Sequence, residues 1–144
     1  MARINFRIVT PERVVYTNDI DQVTIPTQSG EVTVLPNHIP LVSLLKAGEM
    51  MLKRDGDEQL FAVSTGFVEV RPHSEVVILA DTAERADEID LERATEARER
   101  AQKALLEKRD MDDVQFAKFQ AILDKEVVRI KVRNKHRSRH QLGK

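Results

Sequence analysis

The sequence predicts two architectures in one chain: an N-terminal antiparallel β-sandwich or flattened barrel over residues 1–86, then a C-terminal antiparallel two-helix hairpin over residues 87–144. Three observations predict this. All five prolines and four of the five glycines lie before residue 73. Between them run short β-branched segments at regular spacing with no helix pattern, as in antiparallel all-β modules. From about Glu88 the apolar period lengthens to that of a helix, and no glycine returns until Gly143.

The strands come in order. Ile4 to Val9 alternates, with Ile4, Phe6 and Ile8 on one side, the period-two mark of a half-buried strand. Val14 to Tyr16, Asp21 to Ile25, Val32 to Leu35, Leu41 to Leu45 and Met50 to Lys53 follow. Gln59 to Ser64, Phe67 to Arg71 and Glu75 to Leu79 complete the set. Ser29-Gly30 and Asp55-Gly56 supply the positive φ that tight turns require, while Pro36 and Pro40 fix extended kinks.

The first helix is expected over about 88–107. Ala94, Ala97, Ala101 and Ala104 step by three, four and three, which puts them on one face. Glu96/Arg100 and Glu99/Lys103 are i,i+4 pairs of favourable polarity on the other side. Lys108 to Asp113 reads as the turn, and Asp112 with Gln115 resembles a capping box. A second helix is expected over about 113–133, with a solvated, disordered basic tail after it. This helix has two apolar strips, Val114, Ala117, Ala121 and Val128 on one side and Phe116, Phe119, Leu123, Val127 and Ile130 on the other. One strip pairs with the first helix, and the other needs a further surface. Alanine allows close approach but buries little. At about 0.8 kcal/mol per methyl-sized group, four alanines contribute roughly 3 kcal/mol, an upper bound. The hairpin is thus a low-stability unit of the kind that moves.

The totals exclude several classes of function. Cysteine is absent, so disulfides, thiolate zinc sites and cysteine catalysis are absent too. Net charge is −1, which gives no long-range bias towards nucleic acid or membrane. No apolar run approaches the roughly 20 residues of a membrane span, and the N-terminus lacks the pattern of a signal or transit peptide. No glycine-rich phosphate loop and no nucleophile–base constellation is present, so an enzyme is not expected. The charge is concentrated locally: Arg129, Lys131, Arg133, Lys135, Arg137, Arg139 and Lys144 follow one another with no acid among them.

Three motifs carry a resemblance. SGEVTVLPNHIPLV (29–42), STGFVEVRP (64–72) and LADTAERADEIDLERA (79–94), followed by an alanine-lined hairpin, resemble the epsilon-subunit family of the bacterial rotary proton-translocating ATP synthase, from Ile4 to about Arg133. The resemblance implies a non-catalytic central-stalk subunit. Its sandwich would dock on the gamma subunit and on the c-ring. Its helices, when extended, would reach the alpha/beta catalytic head and inhibit ATP hydrolysis. No nucleic acid is implied, and the membrane is reached only through the complex, at the cytoplasmic face of the cell membrane as a peripheral protein. No cofactor is required; regulatory ATP is the one ligand implied. Two positions depart from the family pattern. Thr33 stands where many relatives have glycine, and Lys125 where arginine is expected, a point charge in place of a bidentate fork.

Ile89-Asp90-Leu91-Glu92-Arg93-Ala94 matches the family's I/L-D-x-x-R-A nucleotide motif. The resemblance then implies an ATP site formed by Glu84, Asp90, Arg93, Lys125 and Arg129. A plainer reading makes Asp90 a first-turn acid stabilised by the helix dipole, with Arg93 as its local partner. Glu31 and His38 would face the c-ring and gamma; the alternative is that both are solvated loop residues. The basic end of the second helix, Arg129 and Arg133 included, would grip acidic beta-subunit surface in the inhibitory state. It reads equally as solvated tail, and less well as a nucleic-acid arm, since aromatic stacking residues are lacking nearby. His38, His136 and His140 have too few companions to bind a metal.

Overall fold

In a computed structural model the chain divides into two compact units, Met1–Arg85 and Ala86–Lys144. The structure describes residues 2–107 and 111–142, with side chains described as far as Ser138. The Lys108–Asp110 part of the expected turn, the side chain of His140, and Gly143 and Lys144 lie outside the described residues.

The first unit is one continuous ten-stranded sheet. Its strands are β1 (Ile4–Val9), β2 (Val14–Ile20), β3 (Gln22–Thr27), β4 (Gly30–Val34), β5 (Leu41–Leu45), β6 (Gly48–Arg54), β7 (Asp57–Val63), β8 (Gly66–Arg71), β9 (Glu75–Ala80) and β10 (Ala83–Arg85). They lie in the order β10-β7-β6-β3-β5-β8-β9-β1-β2, with β4 paired to β3. The sheet folds over itself into the nearly closed sandwich that the alternating segments predict. One ladder departs from the antiparallel rule: β1 runs parallel to β9, Asn5 opposite Glu75 through Val9 opposite Leu79. The short strand β10 was not expected from the sequence. It pairs Ala83 with Val63 and so continues the sheet past β7.

The core follows from period two. In β1, Ile4, Phe6 and Ile8 are wholly buried, and Ile25, Leu52, Phe61, Val68 and Ile78 meet them inside. Tyr16 on β2 lies between Phe6 and Phe61, with ring centroids 6.1 and 5.4 Å away, the second edge-on. Such tilted aromatic contacts add to area burial and tie the β2 edge to β7. Every member of this core cluster lies between Ile4 and Ala83.

The turns follow their residues. Asp55 (φ 52°) and Gly56 (φ 85°) both adopt positive φ, closing the β6–β7 hairpin as a primed turn requires. Gly30 has φ 113° and opens β4, where the buried Thr27 hydroxyl donates to its carbonyl at 2.6 Å. Thr33 sits inside β4 opposite Thr24, with the two hydroxyls 3.0 Å apart. The residue that replaces the family's glycine is therefore ordinary strand.

The second unit corrects two expectations. The first helix, α1, is Leu91–Glu107 and does not begin at 88. Residues Ala86–Glu88 form a short 3-10 turn, because Asp90 takes the capping position and stops the helix there. The second helix, α2, is Asp113–Leu142 and does not end at 133. The residues read as a disordered tail continue the helix: between Arg133 and Leu142 there is neither glycine nor proline to break it, and lysine, arginine, glutamine and leucine are good helix formers. At 1.5 Å per residue α2 is about 45 Å long. Asp112 caps it, with Oδ1 accepting from the Gln115 amide at 2.7 Å.

The alanine face packs as predicted, Ala94 and Ala101 being buried and Ala97 and Ala104 half-buried. On α2 the first strip leaves Val114, Ala117 and Ala121 exposed, while Phe119, Leu123 and Ile130 of the second are half-buried; among the described residues the fully buried positions are Glu126 and Val132, neither on a predicted strip. Within α1 the ion pair seen among the described residues is Lys103 with Glu107 at 4.0 Å, a different partner from the expected Glu99.

Candidate functional site

Two surfaces carry exposed or charged chemistry that the cores do not consume, one in each unit. In the helical unit it begins at Asp90. Its Oδ1 accepts the Arg93 amide at 3.1 Å, and its carbonyl accepts the Ala94 amide at 3.0 Å. Asp90 is therefore the N-cap of α1, just outside the first turn, with one carboxylate oxygen committed and the residue exposed. Replacing Asp90 by alanine is expected to cost the helical unit about 1 kcal/mol, read as a fall in its thermal midpoint by circular dichroism; asparagine should restore most of it. Arg93 meets Asp90 through its backbone, and its exposed guanidinium makes no ion pair with a described residue.

Residues 108–112 join the two helices, so packed neighbours must run antiparallel. Counting equal rises from that connection, Arg93 is level with Val127, between Lys125 and Arg129 on α2. Three cations thus stand at one height on facing helices. Lys125 is half-buried. Arg129 is engaged: Nη1 donates to Glu126 Oε2 at 2.7 Å, with the two side chains 16 % and 5 % exposed. Ala94 is level with Glu126, and both are buried. Glu126 was missed in the sequence. The signal was an acid among the apolar residues of α2 with an arginine at i+3, a pairing distance on a helix. Arg133 is half-buried on the same helix. Glu84 belongs to the β unit, on β10 opposite Ala62.

In the β unit the outer face of the sheet carries an apolar row. Leu44 on β5 is opposite Phe67 on β8, Phe67 opposite Leu79 on β9, Leu79 opposite Val9 on β1, and Val9 opposite Val14 on β2. Leu44, Phe67, Leu79 and Val14 are 45–54 % exposed. Five neighbouring strands at about 4.8 Å spacing make the row about 20 Å long. Beside it Pro11, Phe67 and Leu79 help to line an open hollow of about 330 Å³. Contiguous apolar surface of this kind marks an interaction site. The sequence signal was the loss of alternation: Leu44-Leu45, Phe67-Val68 and Ile78-Leu79 place apolar residues on both faces.

Next to the row, Arg71 donates to Glu75 at 2.9 Å and to Glu69 at 3.1 Å. The Arg71 hydrogen bond holds the Glu69 carboxyl below its ordinary range. A lowered carboxylate supports the fold above its unfolded value, and that support fades as pH falls through the folded value. Both groups being exposed, the effect is local. Glu31 is exposed on β4. His38 is half-buried in the loop before β5, its Nδ1 2.6 Å from the Ile39 carbonyl and its amide donating to Leu35. Among the described residues no group of side chains has the composition of a metal site, and no helix is long and apolar enough to cross a membrane.

Both units match known families. Residues 3–86 match the ATP synthase delta/epsilon chain beta-sandwich domain, and residues 87–134 the long alpha-helix domain of the same chain. The chain is 45 % identical over 134 residues to the ATP synthase epsilon chain of Chloroflexus aggregans, covering 93 % of this chain and 94 % of that one. It is 43 % identical over 142 residues to that of Dehalococcoides mccartyi, covering 99 % and 100 %. It is 48 % identical over 114 residues to that of Bacillus subtilis, covering 79 % and 86 %. Among solved structures, a chain of the Euglena gracilis mitochondrial ATP synthase OSCP/F1/c-ring assembly superposes with a TM-score of 0.72 at 24 % identity, over 86 % of this chain and 77 % of that one. A chain of the Tetrahymena thermophila central stalk and c-ring gives 0.62 at 11 %, over 92 % and 99 %; at these identities the likeness is one of fold.

Proposed function

The chain belongs to the ATP synthase delta/epsilon family, in which it is similar to the epsilon chains, and from that premise we propose that it is a non-catalytic rotor subunit joining gamma to the c-ring and restraining ATP hydrolysis through its helices. The observation that carries the docking half is the exposed row from Leu44 to Val14. A sandwich whose core is complete inside has no structural need of Phe67 and Leu79 on its outer face. Apolar side chains there cost solubility unless a partner covers them, and the gamma subunit is the occupant that the family supplies. Glu31 on β4 and the His38 loop provide polar contacts to the c-ring and gamma.

Exchanging Phe67 for aspartate, alone and with Leu44→Asp, tests this. Both are half-exposed, so stability should move by no more than about 0.5 kcal/mol. Capture of gamma by the full chain should weaken at least about tenfold, as for a central contact residue. Undiminished capture by the double variant would remove the row from the interface.

The regulatory half rests on the hairpin. Its seam is alanine, its second helix leaves Val114, Phe116 and Val127 exposed, and its far end is basic. When the helices separate, α2 reaches the alpha/beta head, where Arg129 and Arg133 meet acidic beta-subunit surface. Regulatory ATP is the ligand that the cations Arg93, Lys125 and Arg129 fit, with Asp90 holding the end of α1 in place and Glu84 as the further acid of the family's pattern. In the cell the protein is peripheral, held at the cytoplasmic face of the membrane by the complex.

A further inference from the structure

We infer that Glu126 is an internal stand-in for a nucleotide phosphate: it occupies the Arg129 guanidinium and makes this chain's affinity for ATP low. The inference rests on the nucleotide reading of Arg93, Lys125 and Arg129 given above, and adds a residue which that reading does not contain.

The geometry is specific. Glu126 is 4 % exposed, and its Oε2 accepts from Arg129 Nη1 at 2.7 Å. A buried carboxylate is unfavourable unless paired, and an apolar residue of similar volume fills such a position at least as well. The helix nonetheless holds a buried acid here, at the height of Ala94 on α1. Carboxylate and phosphate present the same acceptor oxygens to a guanidinium. A nucleotide phosphate reaching Arg129 must therefore displace Glu126 or share the guanidinium with it. A displaced carboxylate would then stand beside a polyanion at a position little exposed to water, where like charges repel strongly. Lys125 does not compensate for this, because a single ammonium offers no fork. Glu126 thus holds the Arg129 guanidinium with a covalently attached anion where a dissociable one would bind, and a nucleotide must compete with it.

The test is calorimetric titration of ATP into the full-length protein, its Glu126→Gln variant and the double variant Glu126→Gln/Arg129→Gln. Thermal unfolding of each is followed by circular dichroism with and without ATP. Glutamine keeps the shape and removes the charge, so the variant should fold. If it does not, Glu126→Ala, which removes the carboxylate and adds no bulk, takes its place. The inference expects Glu126→Gln to bind ATP at least about tenfold more tightly than the native chain, the gain of one charge-assisted hydrogen bond. It also expects ATP to raise the midpoint of that variant and not of the native protein, and the double variant to lose the gain. Equal affinity in native chain and Glu126→Gln overturns the inference and leaves the nucleotide site standing. Tighter binding by the native chain overturns it too, making Glu126 a contributor to the site. No binding by either removes both the inference and the nucleotide reading.

Discussion

Gly66→Ala is expected to destabilise the β unit by at least about 3 kcal/mol, the upper end of overpacking costs and a large share of a domain's usual 5–15 kcal/mol. A Cβ on Gly66 would lie 1.9 Å from the Leu79 carbonyl oxygen and 2.8 Å from Ala80 Cα. Both obstacles are backbone, so no side chain can turn aside. The strands must separate where Gly66 faces Ala80 on one side and Leu45 on the other. The same movement threatens the clip just beyond, where the Ser64 amide donates to the Thr82 carbonyl at 3.0 Å and the Thr82 amide to Ser64 Oγ at 2.7 Å. Measurement is simple because the chain has one tyrosine and no tryptophan. Tyr16 packs against the β core, so its fluorescence during urea unfolding reports that unit and not the helices. Gly56→Ala is the control: its φ of 85° strains a side chain, but nothing lies within 4 Å of the added methyl. Its cost should be nearer 1 kcal/mol. An unchanged midpoint for Gly66→Ala would mean that β8 and β9 are less constrained than their register implies.

Gly66 also shows what can be read from a sequence. Nine of the ten strands follow from side-chain alternation and turn residues, because period two and positive φ are local properties of the chain. The closeness of Gly66 to Leu79 is not local; it depends on which strands become neighbours, and one glycine before Phe67 does not reveal that. The parallel contact of β1 with β9 escaped for the same reason, since two alternating segments look alike in either direction. β10 escaped because three residues are too few to show a period. In the hairpin, the alanine face was legible from its spacing. The burial of Glu126 was not, because charge argues for the surface until the arginine one turn on is seen as its partner. The end of α2 was misplaced for a different reason: a run of basic residues reads as solvated, yet nothing in it breaks a helix.

Removing the helical unit from Asp87 onward should raise ATP hydrolysis by the assembled complex while leaving the rotor joined and synthesis coupled. The core cluster of the β unit draws no residue from beyond Ala83, so the remaining domain keeps that whole cluster. Its exposed row is likewise unaffected, because Leu44, Phe67, Leu79, Val9 and Val14 all precede the cut. What is lost is a helix of about 45 Å held to its partner by small side chains, with apolar positions facing solvent and a basic far end. In the regulatory reading proposed above, this helix restrains the rotor by leaving its partner. The extent of restraint is therefore set by how often the seam opens, and variants should rank by seam stability. Ala101→Leu, which overfills a buried position on α1, should weaken the seam by about 1–3 kcal/mol and lower hydrolysis below that of the native complex, opposite in sign to the truncation. Hydrolysis assays on membranes carrying the three forms, with proton-driven synthesis measured in parallel, would show the order truncated, native, Ala101→Leu. Indifference of hydrolysis to both changes would leave the sandwich as an anchor and the helices without a regulatory part.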